Sequence, residues 1–335
     1  MILILGGAHS GRHAFFDTLG ITAEDCRMVT ADDAHRFAEE KKVATLSSVC
    51  VRLSSFRVVI ATEMGLGIIP LEKKDRVRRE ENGRLNIALA SLSDCVVLMT
   101  AGIPRVIKGN LSSTLKKKTR YLMVFRHGAT EANLLRRYAG AGTDIDLCDE
   151  GKKQVERTKK LLTSYAAEFP VHLKKSLLEP EIVYVSPMRR CVQTAEILYP
   201  RAKKQIVPDF REMDFGLFEN RSADELLSDD SVRDLYREFI DSGGTISCPP
   251  SVQSAGESVA QFSARSAMAF RRILAEKASG HKENGLVTVV AHGGTQMSLF
   301  SQFCAWTLGD DLDGAKNPYF DWQTDCGGFR LGAVK

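Results

Sequence analysis

Two stretches of this chain share one grammar, an apolar run that stops at a glycine-containing step and gives way to a helical pattern. Met1-Ile-Leu-Ile-Leu5 leads into Gly6-Gly7-Ala8-His9-Ser10-Gly11, and Tyr121-Leu-Met-Val-Phe125 leads into Arg126-His127-Gly128. Each reads as the first strand of an α/β domain. Between them, residues 111–120 are polar and cationic with no apolar period, so the linker is placed there, with one domain over 1–110 and another over 121–335. A length of 335 residues fits two domains. The expected fold class is α/β, each domain a mainly parallel sheet flanked by helices.

In the first domain the pattern predicts strands at 57–61 and 95–99 around a helix over 72–92, a small parallel sheet. In the second it predicts helices near 149–169, 187–198, 222–242, 256–278 and 295–308, and strands at 181–185 and 286–291. Ser186-Pro187 reads as an N-cap with proline at the first helical position, and Ser222-Ala-Asp-Glu225 as a capping box. The balance of 46 basic against 42 acidic residues is too even for a nucleic-acid or membrane surface, so any positive field is expected inside a pocket. The run at the start is too short for a signal peptide, and no stretch has the length of a membrane span, which makes a cytoplasmic location the expectation. Eight cysteines without a C-x-x-C pair or a cysteine-histidine cluster read as free thiols, and no metal site is expected.

Two of seven histidines sit directly after an apolar run and directly before glycine, in Phe125-Arg126-His127-Gly128 and Ala291-His292-Gly293-Gly294. That position is the carboxyl edge of a parallel sheet, where α/β proteins bind ligands. Phosphoryl transfer to an imidazole needs a neutral, oriented ring and cations around the phosphate oxygens. Arg126 adjoins His127, and a second arginine is available in Ser186-Pro-Met-Arg-Arg-Cys-Val-Gln-Thr-Ala195, at a helix start that itself favours anions. A leaving group also needs an acid, and Glu212 in Phe210-Arg-Glu-Met-Asp-Phe-Gly216 is the candidate.

With these residues assembled, Arg126-His-Gly-Ala-Thr-Glu-Ala-Asn133 resembles the signature of the histidine phosphatase (phosphoglycerate mutase-like) superfamily. Asp144-Ile-Asp-Leu147 with Glu150-Gly151, Ser186 to Ala195, Phe210 to Asn220, Gly256-Glu-Ser258 and Val287 to Gly293 follow in family order. The resemblance implies His127 as nucleophile, Arg126, Arg190 and His292 as the phosphate pocket with His292 protonated, and Glu212 as proton donor. Arg190, four residues after the serine, fits better than Arg189, whose other reading is a solvated helix face. The resemblance also implies Asn133 as a phosphate contact, Thr130 as support for the loop, and Gly128 and Gly293 along the substrate site. No cofactor or metal is implied. Asn220 stands where related phosphatases carry glycine.

Gly6-Gly-Ala-His-Ser-Gly-Arg-His13 has the glycine spacing of a P-loop, but Arg12 replaces its lysine and His13 its hydroxyl residue. With Ala61 to Pro70, Gly83-Arg-Leu-Asn86, Ser93 to Leu98 and Gly102-Ile103, the series resembles the adenosylcobinamide kinase/guanylyltransferase family. The segment that would hold that family's nucleophile is shortened, and His35 within it matches nothing. The expectation is a degenerate domain that can bind GTP, ATP or a corrinoid around Gly6, Gly11, Arg12 and His13 without catalysis. Together the two resemblances imply a phosphatase for a small phosphorylated metabolite, α-ribazole 5′-phosphate or cobalamin phosphate first. A phosphoglycerate mutase or general phosphatase, a bifunctional kinase-phosphatase and a non-catalytic phosphate-binding regulator are the alternatives. Oligomeric state is not encoded in any of these features.

Overall fold

The computed structural model describes residues 1–335 apart from 31, 34–52, 66–68, 117–119, 253, 280–284, 305–322 and 335. His35 and the end of the last expected helix lie outside the described residues. Two five-stranded sheets organise the rest. The first runs β2-β3-β1-β4-β5, from β1 (Ile2–Gly6), β2 (Cys26–Val29), β3 (Val58–Thr62), β4 (Cys95–Thr100) and β5 (Ile103–Lys108). Its first four strands are parallel and β5 turns back antiparallel on β4. The sheet is therefore more complete than its sequence suggests. β2 is short and half exposed and β5 is exposed throughout, so neither carries a buried apolar run.

The second sheet runs β10-β6-β9-β7-β8, from β6 (Arg120–Arg126), β7 (Ile182–Val185), β8 (Lys203–Ile206), β9 (Leu286–Ala291) and β10 (Phe329–Val334). Only β10 is antiparallel. The strand β6 alternates its side chains between two cores, as a pleated strand must. Tyr121, Met123 and Phe125 pack with Val155, Leu162, Cys191 and Ala195 of the helices Asp149–Ala167 and Arg189–Leu198. Leu122 and Val124 pack with Phe270, Ile273, Leu299 and Phe300 of the helices Val259–Ser279 and Gly293–Phe303. Burial on both faces explains why β9 reads as one apolar run. Register pairs Arg126 with Ala291 and Val185 with Val290, so β6, β9 and β7 end level with one another.

Several expected boundaries move for local reasons. The first part of the segment read as linker is a helix, Leu111–Lys116, whose Leu111 and Leu115 pack against the first sheet's core with Ile2 and Ile4. The span 222–242 is two helices, Ala223–Ser228 and Arg233–Asp241, because Asp229 accepts from the Ser231 N–H and hydroxyl and opens a turn. The Ser222–Glu225 capping box forms as its spacing predicts. Ser186-Pro187 does not cap the following helix, which begins at Arg189 behind Met188. Among the described residues no helix is long and apolar enough to cross a membrane.

Candidate active site

The level ends of β6, β9 and β7 place His127, His292 and Ser186 side by side. The His127 N–H donates to Ala291 O at 3.0 Å, and the two imidazoles meet edge to face with centroids 5.2 Å apart. His127 is 3% exposed and His292 fully buried. Nδ1 of His127 lies 2.7 Å from Gly128 O, and since a carbonyl only accepts, Nδ1 carries the proton and Nε2 keeps its lone pair. Burial, then the positive charge of Arg190, then Arg126 hold His127 well below the usual imidazole range, against the opposing Gly128 bond. The ring is a neutral base with a fixed tautomer.

Arg190 is fully buried in the first turn of its helix. Its Nη1 donates to Thr143 O at 2.6 Å and its Nη2 to Ala139 O and Gly140 O at 3.0 and 3.2 Å. Arg126 reaches Thr324 O at 2.7 Å through Nη1. The Nε of each arginine is buried without a hydrogen-bond partner, an open donor at the place where a phosphate oxygen is expected. Arg189 differs from its neighbour, pairing with exposed Asp146 at 2.6 Å, as a solvated helix face would.

Glu212 completes the cluster. Its side chain is 14% exposed, and Oε2 stands 3.9 Å from Nδ1 of His292. Burial pushes its carboxyl up despite the Met213 N–H and the cations Arg190, Arg126 and Arg265. A carboxyl so placed retains its proton at higher pH than a surface glutamate, the property a general acid needs.

Two expectations change. Burial first, then Arg190, His127 and Arg126 depress the proton affinity of His292, which works against the protonated form that the resemblance implies. Its ring shares a 2.8 Å contact with the Ser186 hydroxyl. The helix start at Arg189 does not await an anion from solution either, since Asp144 already accepts that N–H at 2.7 Å.

The loop after β6 is braced rather than free. Thr130 caps the turn Glu131–Leu134 in a reciprocal box with Asn133, whose Oδ1 accepts the Thr130 N–H and hydroxyl, leaving its Nδ2 side for other contacts. The Gly128 N–H is occupied by Thr194 Oγ1 at 3.1 Å, and what this glycine provides is room. A Cβ there would stand 2.5 Å from Gly151 O and 2.8 Å from Val155 Cγ2. Gly293 opens the helix after His292.

Three residues of the assembly carry no signal in a single sequence. Glu219 accepts from Gly140 N, Gly142 N and the Thr143 hydroxyl, and so holds the carbonyls that hold Arg190. Gly294 clears space for Glu212, because a Cβ there would lie 2.8 Å from Glu212 Oε1. Arg265, on the long helix Val259–Ser279, bonds to the backbone beneath Glu212. Their roles depend on partners far away in the chain.

The carboxyl edge of the first sheet is built differently. Gly6 ends β1 and Gly11 precedes the six-residue helix Arg12–Asp17. Arg12 turns back on the sheet, its Nη1 donating to Ala61 O at 2.7 Å and Thr62 Oγ1 at 3.2 Å, while His13 is exposed.

Residues 122–313 match the histidine phosphatase superfamily (branch 1). The chain belongs to that superfamily. Residues 15–107 match the cobinamide kinase / cobinamide phosphate guanyltransferase family. The phosphatase part is similar to an acid phosphatase of Mycobacterium tuberculosis, 28% identical over 56% of this chain and 78% of the relative. It is also similar to a protein of Hydrogenobacter thermophilus assigned as phosphoserine phosphatase 2, 32% identical over 52% and 73%. Among solved structures, an Escherichia coli protein assigned as an α-ribazole-5′-P phosphatase shares the fold, with a TM-score of 0.50, 21% identity, and coverage of 65% of this chain and 92% of that one. In this histidine phosphatase the superfamily's charged pocket is thus assembled on the second sheet, and the kinase-like unit forms the first.

Proposed function

We propose that the second sheet's pocket hydrolyses phosphomonoesters of small metabolites through a phosphohistidine on His127. The observation that carries this reading is the Nδ1 bond to Gly128 O, which leaves Nε2 as a neutral nucleophile beside two arginines with open Nε donors. Nε2 attacks phosphorus as the ester P–O bond breaks, and Glu212 gives its proton to the departing oxygen. The Glu212 carboxylate then takes a proton from water, whose oxygen attacks phosphorus as the N–P bond breaks and phosphate leaves. Arg126 and Arg190 stabilise charge on the phosphoryl oxygens in both steps. An arriving phosphate also supplies the negative charge that allows His292 to take up a proton and donate to it.

The proposed substrate is α-ribazole 5′-phosphate or cobalamin phosphate. A cobinamide kinase-like unit on the same chain supports that choice. The first domain, in this reading, binds a nucleotide or corrinoid without transferring phosphate, because Arg12 is committed to Ala61 and Thr62. Phosphate release from a panel of α-ribazole phosphate, cobalamin phosphate, phosphoglycerates and sugar phosphates tests the assignment. Preference for the first two is expected. Phosphoglycerate rearranged with its phosphate retained would overturn hydrolysis, and preference for sugar phosphates would overturn the substrate. For the acid, Glu212→Gln is expected to slow alkyl phosphates by roughly 10²- to 10⁴-fold and activated aryl phosphates far less.

A further inference from the structure

The segment carrying Glu212 has little of its own to hold it. After the short turn Pro208–Phe210 it follows neither helix nor strand until Gly216. Beside the Ala141 N–H to Met213 O bond at 3.0 Å and the Phe215 N–H to Glu219 bond, one guanidinium supplies most of that missing scaffold. Arg265 Nη1 donates to Asp209 O at 2.8 Å and Arg211 O at 2.9 Å, and its Nη2 donates to Glu212 O at 2.8 Å. The remaining donors make a two-pronged bond to Glu257, Nε to Oε1 and Nη2 to Oε2, each 2.7 Å. All five N–H groups of an arginine are thereby used. Glu257 in turn accepts the Asp214 N–H at 3.0 Å and gives its own N–H to Asp214 O at 2.8 Å. The acid therefore lies between two points anchored to the same pair.

The pair is nearly buried, with side chains 11% and 14% exposed. Burial alone would raise the Glu257 carboxyl, but the hydrogen bonds and charge of Arg265 outweigh it and hold the group below its usual range, ionised. Removing two charges from water costs several kcal/mol per ion, and apolar side chains of similar volume often serve stability equally well. What an apolar pair cannot do is hold three carbonyls within four residues in one geometry.

We infer that Arg265, locked by Glu257, is a positioning residue that sets where Glu212 stands relative to the leaving group. The inference rests on Glu212 being the acid. Misplacement by about 1 Å can cost a factor near 10² in rate, so the clamp acts on proton delivery while leaving phosphate capture to Arg126 and Arg190. The charged and titratable groups around Glu212 are His292 from the end of β9, Arg190 from its helix, Arg126 from β6 and Arg265 from below. Arg211 also approaches Glu257, at 3.6 Å, from the solvent side.

The test uses the full chain, with kcat and KM measured on p-nitrophenyl phosphate and on an alkyl phosphate. Arg265→Gln is expected to lower kcat on the alkyl ester by about 10²-fold, to affect the aryl ester much less, and to leave KM for both unchanged. In a Glu212→Gln background the same substitution should add almost nothing on the alkyl ester, because residues acting through one group are not additive. Arg265→Lys keeps the charge but not the fork, and should give an intermediate loss with the same bias. If Arg265→Gln does not fold, Arg265→Lys and Glu257→Gln carry the test on that same bias. Equal losses on both esters, or an undiminished effect in the Glu212→Gln background, would overturn the clamp. Glu212→Gln without leaving-group bias would instead remove the acid assignment itself.

Discussion

Both halves of the molecule end a parallel sheet in a glycine-containing loop, yet they place their cations differently. At the second sheet, half-buried Arg126 and buried Arg190 each keep a buried Nε donor unmet beside a neutral His127. At the first, the loop cation Arg12 has turned inward and spends Nη1 on Ala61 and Thr62 of β3. Burial without a partner is costly, and a site tolerates it where a ligand supplies the missing acceptor. The same strand-loop-helix grammar thus yields open arginine donors in one place and a cation turned back on its own sheet in the other, where Ser10 Oγ is the loop atom left buried without a partner. The difference lies in where side chains of distant elements fall, not in the loops.

The sharpest way to break this comparison is to remove one residue from each edge. His127→Ala is expected to reduce turnover to background, with the acid-trapped phosphoryl label lost, because no neighbour can form the covalent bond. Arg12→Ala should leave hydrolysis of an aryl phosphate unchanged. Magnesium-dependent transfer from GTP to cobinamide by the full chain, lost on Arg12→Ala, would show that the first edge is also a working site.

A pH profile sharpens the contrast next. His127 must be neutral to attack, and its depressed proton affinity moves the acid limb of kcat/KM below the usual imidazole range. Glu212 must be protonated, and its raised pKa carries the alkaline limb above the usual carboxyl range. The alkaline limb should vanish on Glu212→Gln with an aryl substrate while the acid limb stays.

Packing gives smaller effects. Gly128→Ala forces the loop away from Gly151 and Val155, and overpacking of this kind costs about 1–3 kcal/mol in denaturant unfolding, with a higher KM. At the low end, Asn220 sits in the left-handed region at φ 55°. Asparagine tolerates that conformation better than most side chains, and glycine tolerates it freely. Asn220→Gly should be close to neutral, whereas Asn220→Ala should cost about 1 kcal/mol. A glycine variant that unfolds as readily as the alanine one would refute the backbone explanation.

Most of the scaffold around the nucleophile was legible because its signals are local. An apolar run followed by histidine and glycine marks a strand end, and burial on both faces gives β6 and β9 their apolar runs. What escaped reading depends on distance or on polar strands. Lys203-Lys-Gln-Ile206 forms β8 at a sheet edge with little apolar content. Ser186 has the look of a cap, but its hydroxyl is drawn to His292 across 106 positions of sequence, and Asp144 takes the helix start instead. The helix Leu111–Lys116 shows one apolar pair four residues apart, too few for a period to emerge. Arg265 looks like any helix arginine until the turn it supports is folded beside it.

One feature at the far side of the pocket bears on how the enzyme comes into being. The segment after residue 323 crosses the end of β6 before β10 begins. Arg126 rests on Thr324 O, the Arg126 N–H on Gly328 O, and the Gly327 N–H on His127 O, with Gln296 gripping Thr324 from behind. The loop around His127 is therefore braced by residues made some 200 positions later in translation, since Arg126 and Thr324 are 198 residues apart. On the ribosome the central strands can pair while that brace is still unmade. The last brace on the loop after His127 is therefore added only when β10 zips antiparallel onto β6.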